Sequence, residues 1–223
     1  MAGAQAAKKT NWFAIGISIA VVVVLVALGG VVVWMNNRAN DAGPAPVGAV
    51  IDSETGAISF GEGEDTIATY IDLMCPACNS FEQSYGEQLR EAAANDDITL
   101  EIHPIAILDH LSQGTDYSSR AAAAMYCVAE ADGDAALDYM QTLFENQPAE
   151  LTSGLTDEQL IAYAEEVGAG DAAACITEGT YKKYPAAQAK AHDIKGTPTV
   201  DVNGERLDLQ NQADFQSFVD LIS

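Results

Sequence analysis

The first pattern along the chain is a long run of apolar residues. Residues 13–35 are 23 positions without a charge, dominated by Val, Ile, Leu, Ala and Gly. As a helix this run would be about 34 Å long, enough to cross a bilayer with some tilt. Trp12 and Trp34 lie near its two ends, where interfacial aromatic residues are enriched. The pattern predicts a transmembrane anchor over residues 13–35.

The charges that flank this run predict its orientation. Lys8 and Lys9 precede it and Arg38 follows it, so residues 1–12 are expected in the cytoplasm and the rest of the chain outside. A cleaved signal peptide is the competing interpretation. Its apolar region would be shorter, about 7–15 residues, and small residues would follow at a cleavage site. Residues 36–38 provide no such site, which favours an uncleaved anchor.

Beyond the anchor, a Pro- and Gly-rich stretch leads into a region of shorter patterns. We expect a linker over residues 36–56 and a folded domain over residues 57–223. The domain opens with short runs rich in β-forming residues, separated by one helical run. The pattern predicts strands over residues 57–60, 66–73 and 98–102, with a helix from Cys75 to about Asn95 between the last two.

The spacing becomes helical over about residues 115–180, where Thr156 and Gln159 form a helix-capping signal. Alternation then returns, because residues 199–202 and 206–209 flank an Asn-Gly hairpin signal. A last helix is predicted over 213–222. The order of elements predicts an α/β fold in which a strand–helix–strand unit and a hairpin–helix unit enclose a helical subdomain.

The charge beyond the apolar run is strongly acidic. Residues 39–223 contain 33 acidic and 7 basic residues, a net charge of −26. Nucleic-acid binding needs a positive surface, so that class of function is excluded. The acidic excess favours solubility and leaves open a preference for basic client proteins.

The chemistry of the chain is concentrated in Cys75-Pro76-Ala77-Cys78, at the junction of a predicted strand and helix. Two cysteines three positions apart at a helix N-terminus can form and break a disulfide without moving the backbone. Free N–H groups and the helix dipole favour a thiolate at the first sulfur. Pro76 suits the first helical turn, where its missing N–H costs nothing. The motif therefore predicts thiol–disulfide exchange.

A second motif, Gly196-Thr197-Pro198-Thr199, begins the predicted hairpin. Taken with the Cys-Pro-Ala-Cys helix and the helical insertion, it resembles the thioredoxin superfamily, and more narrowly the membrane-anchored DsbA-like disulfide oxidoreductases of Gram-positive bacteria. The resemblance implies that Cys75 is the nucleophile and Cys78 the buried resolving cysteine. It implies that Pro198 is a cis-proline beside the disulfide and that the Thr197 backbone pairs with the client. Pro76 and Ala77 would tune the redox potential.

The chain departs from this family at two positions. Many members have a histidine where Ala77 stands, and its loss predicts a weaker oxidant. Many also have a buried carboxylate six residues before the nucleophile, where this chain has Thr69. Asp72 is an alternative proton-transfer group, although strand alternation from Ile71 would place it on another face.

The other two cysteines, Cys127 and Cys175, fall in or beside the helical region. We expect a structural disulfide between them, which suits an oxidising compartment. Unpaired buried thiols, a second redox pair and a zinc site made of all four cysteines are the alternatives. The three histidines show no ligand spacing, and neither a metal nor a cofactor is expected.

Together these features predict a single-pass, membrane-anchored oxidoreductase that donates its disulfide to reduced exported proteins. The resemblance implies a quinone-linked membrane partner, DsbB-like or VKOR-like, that reoxidises the pair. A reductase or isomerase, for example in cytochrome maturation, is the alternative enzyme. A client-binding chaperone with inert cysteines is the non-catalytic alternative.

Overall fold

The structure is a computed structural model and describes residues 25–26, 29–31, 41–52 and 54–222. The predicted anchor over residues 13–35 lies almost wholly outside these described residues. Among the helices that are described, none is both long enough and apolar enough to cross a membrane.

The chain divides into two compact units, residues 1–41 and residues 42–223. The second unit carries the strands and helices that form the site. In chain order its elements are β1 (Ile58–Phe60), β2 (Asp65–Ile71), α1 (Pro76–Ala94), β3 (Ile98–Pro104), α2 (Tyr117–Ala131), α3 (Ala136–Glu145), α4 (Asp157–Glu166), α5 (Ala173–Glu178), α6 (Tyr184–Ala191), β4 (Thr199–Val202), β5 (Glu205–Arg206) and α7 (Gln212–Leu221).

Strand β2 is central in the sheet, whose described strands lie in the order β1-β3-β2-β4-β5. It runs parallel to β3, and α1 provides the crossover that parallel pairing requires. It runs antiparallel to β4, so that Thr199 at the start of β4 lies opposite Tyr70 near the end of β2. The segment before β4 and the segment after β2 therefore meet at one end of the sheet.

Helices cover both faces of this sheet. On one face, Phe81 of α1 and Phe218 of α7 pack together with ring centroids 5.7 Å apart. On the other face, Ala68 and Tyr70 of β2 pack with Ala189 of α6. Strand β2 is thus buried on both sides, as its nearly continuous apolar sequence requires.

Helices α2 to α5 form the insertion between β3 and β4, which makes the fold a thioredoxin-type α/β fold with a helical subdomain. Helix α2 lies at the centre of this region, and 12 of its 15 residues are buried. A helix that is apolar around most of its circumference is stable only when it is surrounded. Its run of four alanines, residues 121–124, presents small side chains to the helices around it.

Two segments differ from the sequence pattern. Strand β5 ends at Arg206, although alternation suggested pairing to residue 209, because Asp208 and Asn211 form the turn and cap that begin α7. Within the segment expected as a linker, Pro46 and Ile51 are buried, and Ile51 bridges to Ile58 of β1. These contacts are isolated bridges rather than a regular strand, so they leave no alternating pattern in the sequence.

A disulfide joins Cys127 of α2 to Cys175 of α5, a sequence separation of 48 residues. It connects the central helix of the insertion with the helix that leads back toward the sheet. Because the two sulfurs are bonded to each other, they are not available as thiolate ligands of a zinc ion.

We predict that replacing this disulfide in a Cys127→Ala/Cys175→Ala variant lowers the free energy of unfolding by up to about 4 kcal/mol, because the unfolded chain is no longer constrained by the closed loop. Urea denaturation measures the change. The parent protein, unfolded under the same non-reducing conditions, is the reference. A variant as stable as the parent would contradict the prediction.

Candidate active site

Helix α1 begins at the reactive pair. Cys75 is the N-cap residue, with extended backbone angles of φ −77° and ψ 117°, and Pro76 occupies the first helical position. The Cys75 thiol makes no capping hydrogen bond. The backbone N–H groups of Ala77 and Cys78 nevertheless favour the ionised sulfur. The sulfur therefore stands where a capping oxygen would stand at an ordinary helix N-terminus.

The environment of Cys75 lowers the pKa of its thiol to about 6. The largest cause is a hydrogen bond from the Cys78 thiol, and a further one involves the Thr197 side chain. Burial acts in the opposite direction, and the residue is only 8% exposed. A pKa of about 6 leaves most of the Cys75 sulfur as thiolate at neutral pH, which is the nucleophilic form.

Cys78 has the opposite properties. It is fully buried, and this burial is the main reason why the pKa of its thiol rises well above the ordinary range. The hydrogen bond it donates to Cys75 and the charge of the Cys75 thiolate raise its pKa further. The two sulfurs are free thiols in this structure. The opposite shifts make Cys75 the thiol that ionises more readily and favour the protonated form of Cys78.

The segment before β4 completes the site. The Thr197–Pro198 peptide bond is cis, and the Thr197 carbonyl oxygen accepts a hydrogen bond from the Cys75 thiol at 3.3 Å. The antiparallel pairing of β4 with β2 places it there. Pro76 and Ala77 are exposed beside Cys75, whereas Thr197 and Pro198 are half-buried. The four residues form the accessible surface around the nucleophile.

Asp72 is fully buried, contrary to the expectation that strand alternation turns it away. Strand β2 ends at Ile71, so alternation no longer applies. One carboxylate oxygen accepts from the Met74 N–H and the Ser118 hydroxyl, at 2.9 and 2.7 Å. The other accepts from two backbone N–H groups of the segment after β3, at 2.9 and 3.0 Å. Asp72 therefore ties the turn before Cys75 to β3 and α2.

The pKa of the Asp72 carboxyl is raised, mainly because burial disfavours its charge. Its four hydrogen bonds act against this shift, since each donor favours the ionised form. All four donors keep their acceptor only while the group is a carboxylate. The geometry assigns Asp72 to holding the turn rather than to exchanging protons with Cys78.

Thr69, six residues before Cys75, is buried and neutral. It lines a small cavity that Cys78 also lines. The carboxylate of this cavity comes instead from Glu82 on α1, which forms an ion pair with Arg90. A Cβ atom at Gly86 would clash with the Glu82 carboxylate, so this mid-helix glycine makes room for the pair. The sequence pattern did not lead us to this ion pair, although Glu82, Gly86 and Arg90 are spaced four residues apart, as neighbours on one helix face are.

Gln147 is a second residue that sequence reasoning missed. Its side chain, from the segment after α3, donates to the carbonyl oxygens of Leu73 and Cys75. A lone glutamine before a proline carries no sequence signal for such a role. The helical insertion therefore reaches the reactive turn at two points, through Gln147 and through Ser118 of α2.

The histidines lie elsewhere. His103 is buried and stacks on Tyr70 with ring centroids 4.3 Å apart, and His192 contacts the same tyrosine ring. Within the part of the chain that the structure describes, no cluster of three or more His, Cys, Asp or Glu residues is arranged to hold a metal ion.

Comparisons with known proteins agree with this geometry. The family profile described as thioredoxin matches residues 58–221. The reduced form of the disulfide bond oxidoreductase DsbG from Mycobacterium tuberculosis is 31% identical, over 74% of this chain and 86% of that one, with a TM-score of 0.67. Oxidised DsbA from the same organism is 30% identical, over 75% and 93%, with a TM-score of 0.66.

Two further similarities extend the comparison. MdbA, a thiol–disulfide oxidoreductase from Actinomyces oris, shares the fold at 24% identity, over 82% of this chain and 91% of that one, with a TM-score of 0.62. The serine/threonine-protein kinase PknE of Mycobacterium tuberculosis is 35% identical over 137 residues, which are 59% of this chain and 24% of the kinase. The chain spans about a quarter of the length of these curated relatives.

We predict that Cys75 stabilises the reduced protein increasingly between about pH 6 and pH 9. The pKa of Cys75 is about 6 in the folded state, whereas a thiol in an unfolded chain titrates near about 8.5. This stabilisation is fully present above the unfolded pKa and is lost as the pH falls through about 6. Urea unfolding of the reduced protein at a series of pH values measures it.

The control for this pH dependence is Cys75→Ser, which keeps the carboxylates and Cys78 but has no thiol at position 75. The difference in unfolding free energy between the parent and this variant should grow from about pH 6 upward. A difference that stays constant with pH would contradict the lowered pKa of Cys75.

We also predict that Asp72→Asn lowers the free energy of unfolding by about 3 kcal/mol or more, because buried N–H donors lose their acceptor. Urea denaturation measures the loss, with Asp171→Asn on the exposed surface as control. The folded variant should keep the pH profile of disulfide exchange. A flattened profile would instead make Asp72 the proton-transfer group.

Proposed function

Since this chain belongs to the thioredoxin family, we propose that it is an extracytoplasmic thiol–disulfide oxidoreductase that donates the Cys75–Cys78 disulfide to exported proteins. One observation carries the proposal: adjacent thiols at a helix N-terminus have pKa values shifted in opposite directions. A structural disulfide would need no such difference. The similarity to proteins described as disulfide oxidoreductases supports the same activity.

The reaction follows from which sulfur a client can reach. A client thiolate attacks the Cys75 sulfur, a client–Cys75 disulfide forms, and the Cys75–Cys78 bond breaks. Cys78 leaves with the bonding electron pair and takes up a proton, as its raised pKa favours. A second client thiolate then attacks the client sulfur of the mixed disulfide, and Cys75 leaves as a thiolate. The client is oxidised and the enzyme dithiol has gained two electrons.

The direction of net transfer depends on the reduced form. Thiolate stabilisation at Cys75 lowers the free energy of the dithiol state relative to the disulfide, which makes the disulfide a stronger oxidant. Here the stabilisation comes from the Cys78 thiol, Thr197 and backbone N–H groups. These interactions act without the histidine that many related proteins have at the position of Ala77.

The surface around Cys75 suits an extended client. We infer that Thr197 pairs its backbone with a client chain next to Pro198, and the hydrogen bond between the Cys75 thiol and the Thr197 carbonyl oxygen supports this role. We infer that Pro76 and Ala77, exposed on the other side of the sulfur, tune the potential and contact the client. The strongly acidic surface suits clients with basic segments.

The reduced pair needs an oxidant before it can act again. We infer a quinone-linked membrane protein of the DsbB or VKOR kind as this partner. An anchor over residues 13–35, with residues 1–12 in the cytoplasm and a tether that ends near residue 41, would keep the domain of residues 42–223 close to it on the outer side of the membrane. No cofactor is required in the domain itself, because the electrons pass between sulfurs.

A reductase or isomerase is the second candidate, and Ala77 is the observation that favours it. A weaker thiolate-stabilising environment makes the disulfide less oxidising, and reduced Cys75 would then act on wrongly paired or oxidised clients. A non-catalytic client-binding chaperone would require inert cysteines, and the lowered pKa of Cys75 argues against that alternative.

We predict that residues 42–223, equilibrated with glutathione, give a reduction potential of about −120 to −180 mV, the range of disulfide-donating oxidants. The same protein should oxidise a reduced model protein, and Cys75→Ser should abolish that transfer. A potential near about −270 mV would favour the reductase. Transfer unchanged by Cys75→Ser would exclude the proposed mechanism altogether.

A further inference from the structure

Gln147 lies in the helical insertion, but its side chain reaches the reactive turn. It follows Asn146, the C-cap residue of α3. Its Nε2 donates to the carbonyl oxygen of Leu73 at 3.1 Å and to that of Cys75 at 3.0 Å. One side-chain amide thus holds two backbone carbonyls on either side of Met74.

The orientation of this amide follows from its partners. Carbonyl oxygens accept only, so the NH₂ group of Gln147 must face them. Its Oε1 accepts from the Asn79 side chain at 3.2 Å. Asn79 also donates to the Phe144 carbonyl oxygen at 3.0 Å and accepts from Gln83 at 2.9 Å. Donor and acceptor roles agree along the network, which runs from the surface of α1 through Gln147 to the turn.

The carbonyl oxygen of Cys75 accepts hydrogen bonds both from Gln147 and from helix α1. It also accepts the N–H groups of Cys78 at 3.1 Å and Asn79 at 3.3 Å, which are the first hydrogen bonds of helix α1. Its direction therefore fixes how the first turn leaves the strand. It also fixes where the N–H groups of Ala77 and Cys78 point relative to the Cys75 sulfur. Gln147 adds a third donor, from outside the helix.

We propose that Gln147 is a positioning residue for thiol–disulfide exchange, because it holds the Cys75 peptide so that the N–H groups of the first turn of α1 face the Cys75 sulfur. The inference deepens the proposed function and rests on it for its biological consequence. The proposed effect is on the pKa of Cys75 in the reduced protein, so it can be measured without a client.

The decisive variant is Gln147→Met, which keeps nearly the same length and removes both N–H donors. The pKa of Cys75 should rise by about one unit from its value of about 6, as followed by the ultraviolet absorbance of the thiolate. At pH 7 this rise weakens the thiolate stabilisation about fivefold, which corresponds to a reduction potential about 20 mV more negative for a two-electron couple. Equilibration with glutathione measures that fivefold change independently.

The matched control is Gln141→Met on helix α3, which directly precedes Gln147. Gln141 is also a half-buried glutamine, but its Nε2 donates to Glu145 at 2.8 Å on the surface of α3. This substitution should leave both the titration of Cys75 and the glutathione equilibrium at the parent values. A change equal to that of Gln147→Met would mean that the loss of any glutamine in this region has the effect, and would overturn the proposal.

The proposal is also overturned if folded Gln147→Met, judged by circular dichroism, titrates and equilibrates like the parent. Should that variant not fold, Asn79→Ala takes its place, since it removes the donor that orients the Gln147 amide. A smaller rise of the Cys75 pKa is then expected, and an unchanged titration overturns the role of Gln147. If the parent itself has an ordinary Cys75 pKa and transfers no disulfide, the proposed function is wrong instead.

Discussion

The active site depends on the point at which helix α1 begins. Cys75 is its N-cap residue and Pro76 its first helical residue, so the first available N–H groups of the helix lie around the Cys75 sulfur. The same geometry places Cys78 one turn later, on the inner side of the helix, where it is fully buried. A start one residue earlier or later would separate the sulfur from these N–H groups and turn Cys78 toward another surface.

This start is held from several directions. Asp72 joins the turn to the segment after β3 and to Ser118 of α2, while Gln147 holds it from the end of α3. Thr197 reaches it from the segment before β4. The sheet and the helical insertion thus share one turn of chain as well as one continuous hydrophobic core. The insertion supports the nucleophile as well as covering the site.

Hydrogen bonds, rather than a neighbouring charged side chain, lower the pKa of Cys75. Ala77 offers no imidazole to the Cys75 thiolate, and Thr69 offers no carboxylate behind Cys78. The pKa of Cys75 is nevertheless low, because the Cys78 thiol, Thr197 and the helix N-terminus suffice. A half-buried ion pair, Glu82–Arg90 on α1, lines the same small cavity as Cys78.

The sequence by itself determined the elements and the reactive motif, because both depend on neighbouring residues. Hydrophobic periodicity, capping signals and the spacing of Cys75 and Cys78 are local. Only the tertiary structure decided which polar groups meet. Thr197 and Gln147 form hydrogen bonds with Cys75 although they are 122 and 72 residues away from it in the sequence. Asp72 is buried because it lies just beyond the end of β2, where strand alternation no longer applies. A buried polar group forms hydrogen bonds with the partners that lie near it in the folded protein. The packing of distant apolar segments decides which partners those are, so no local sequence pattern predicts them.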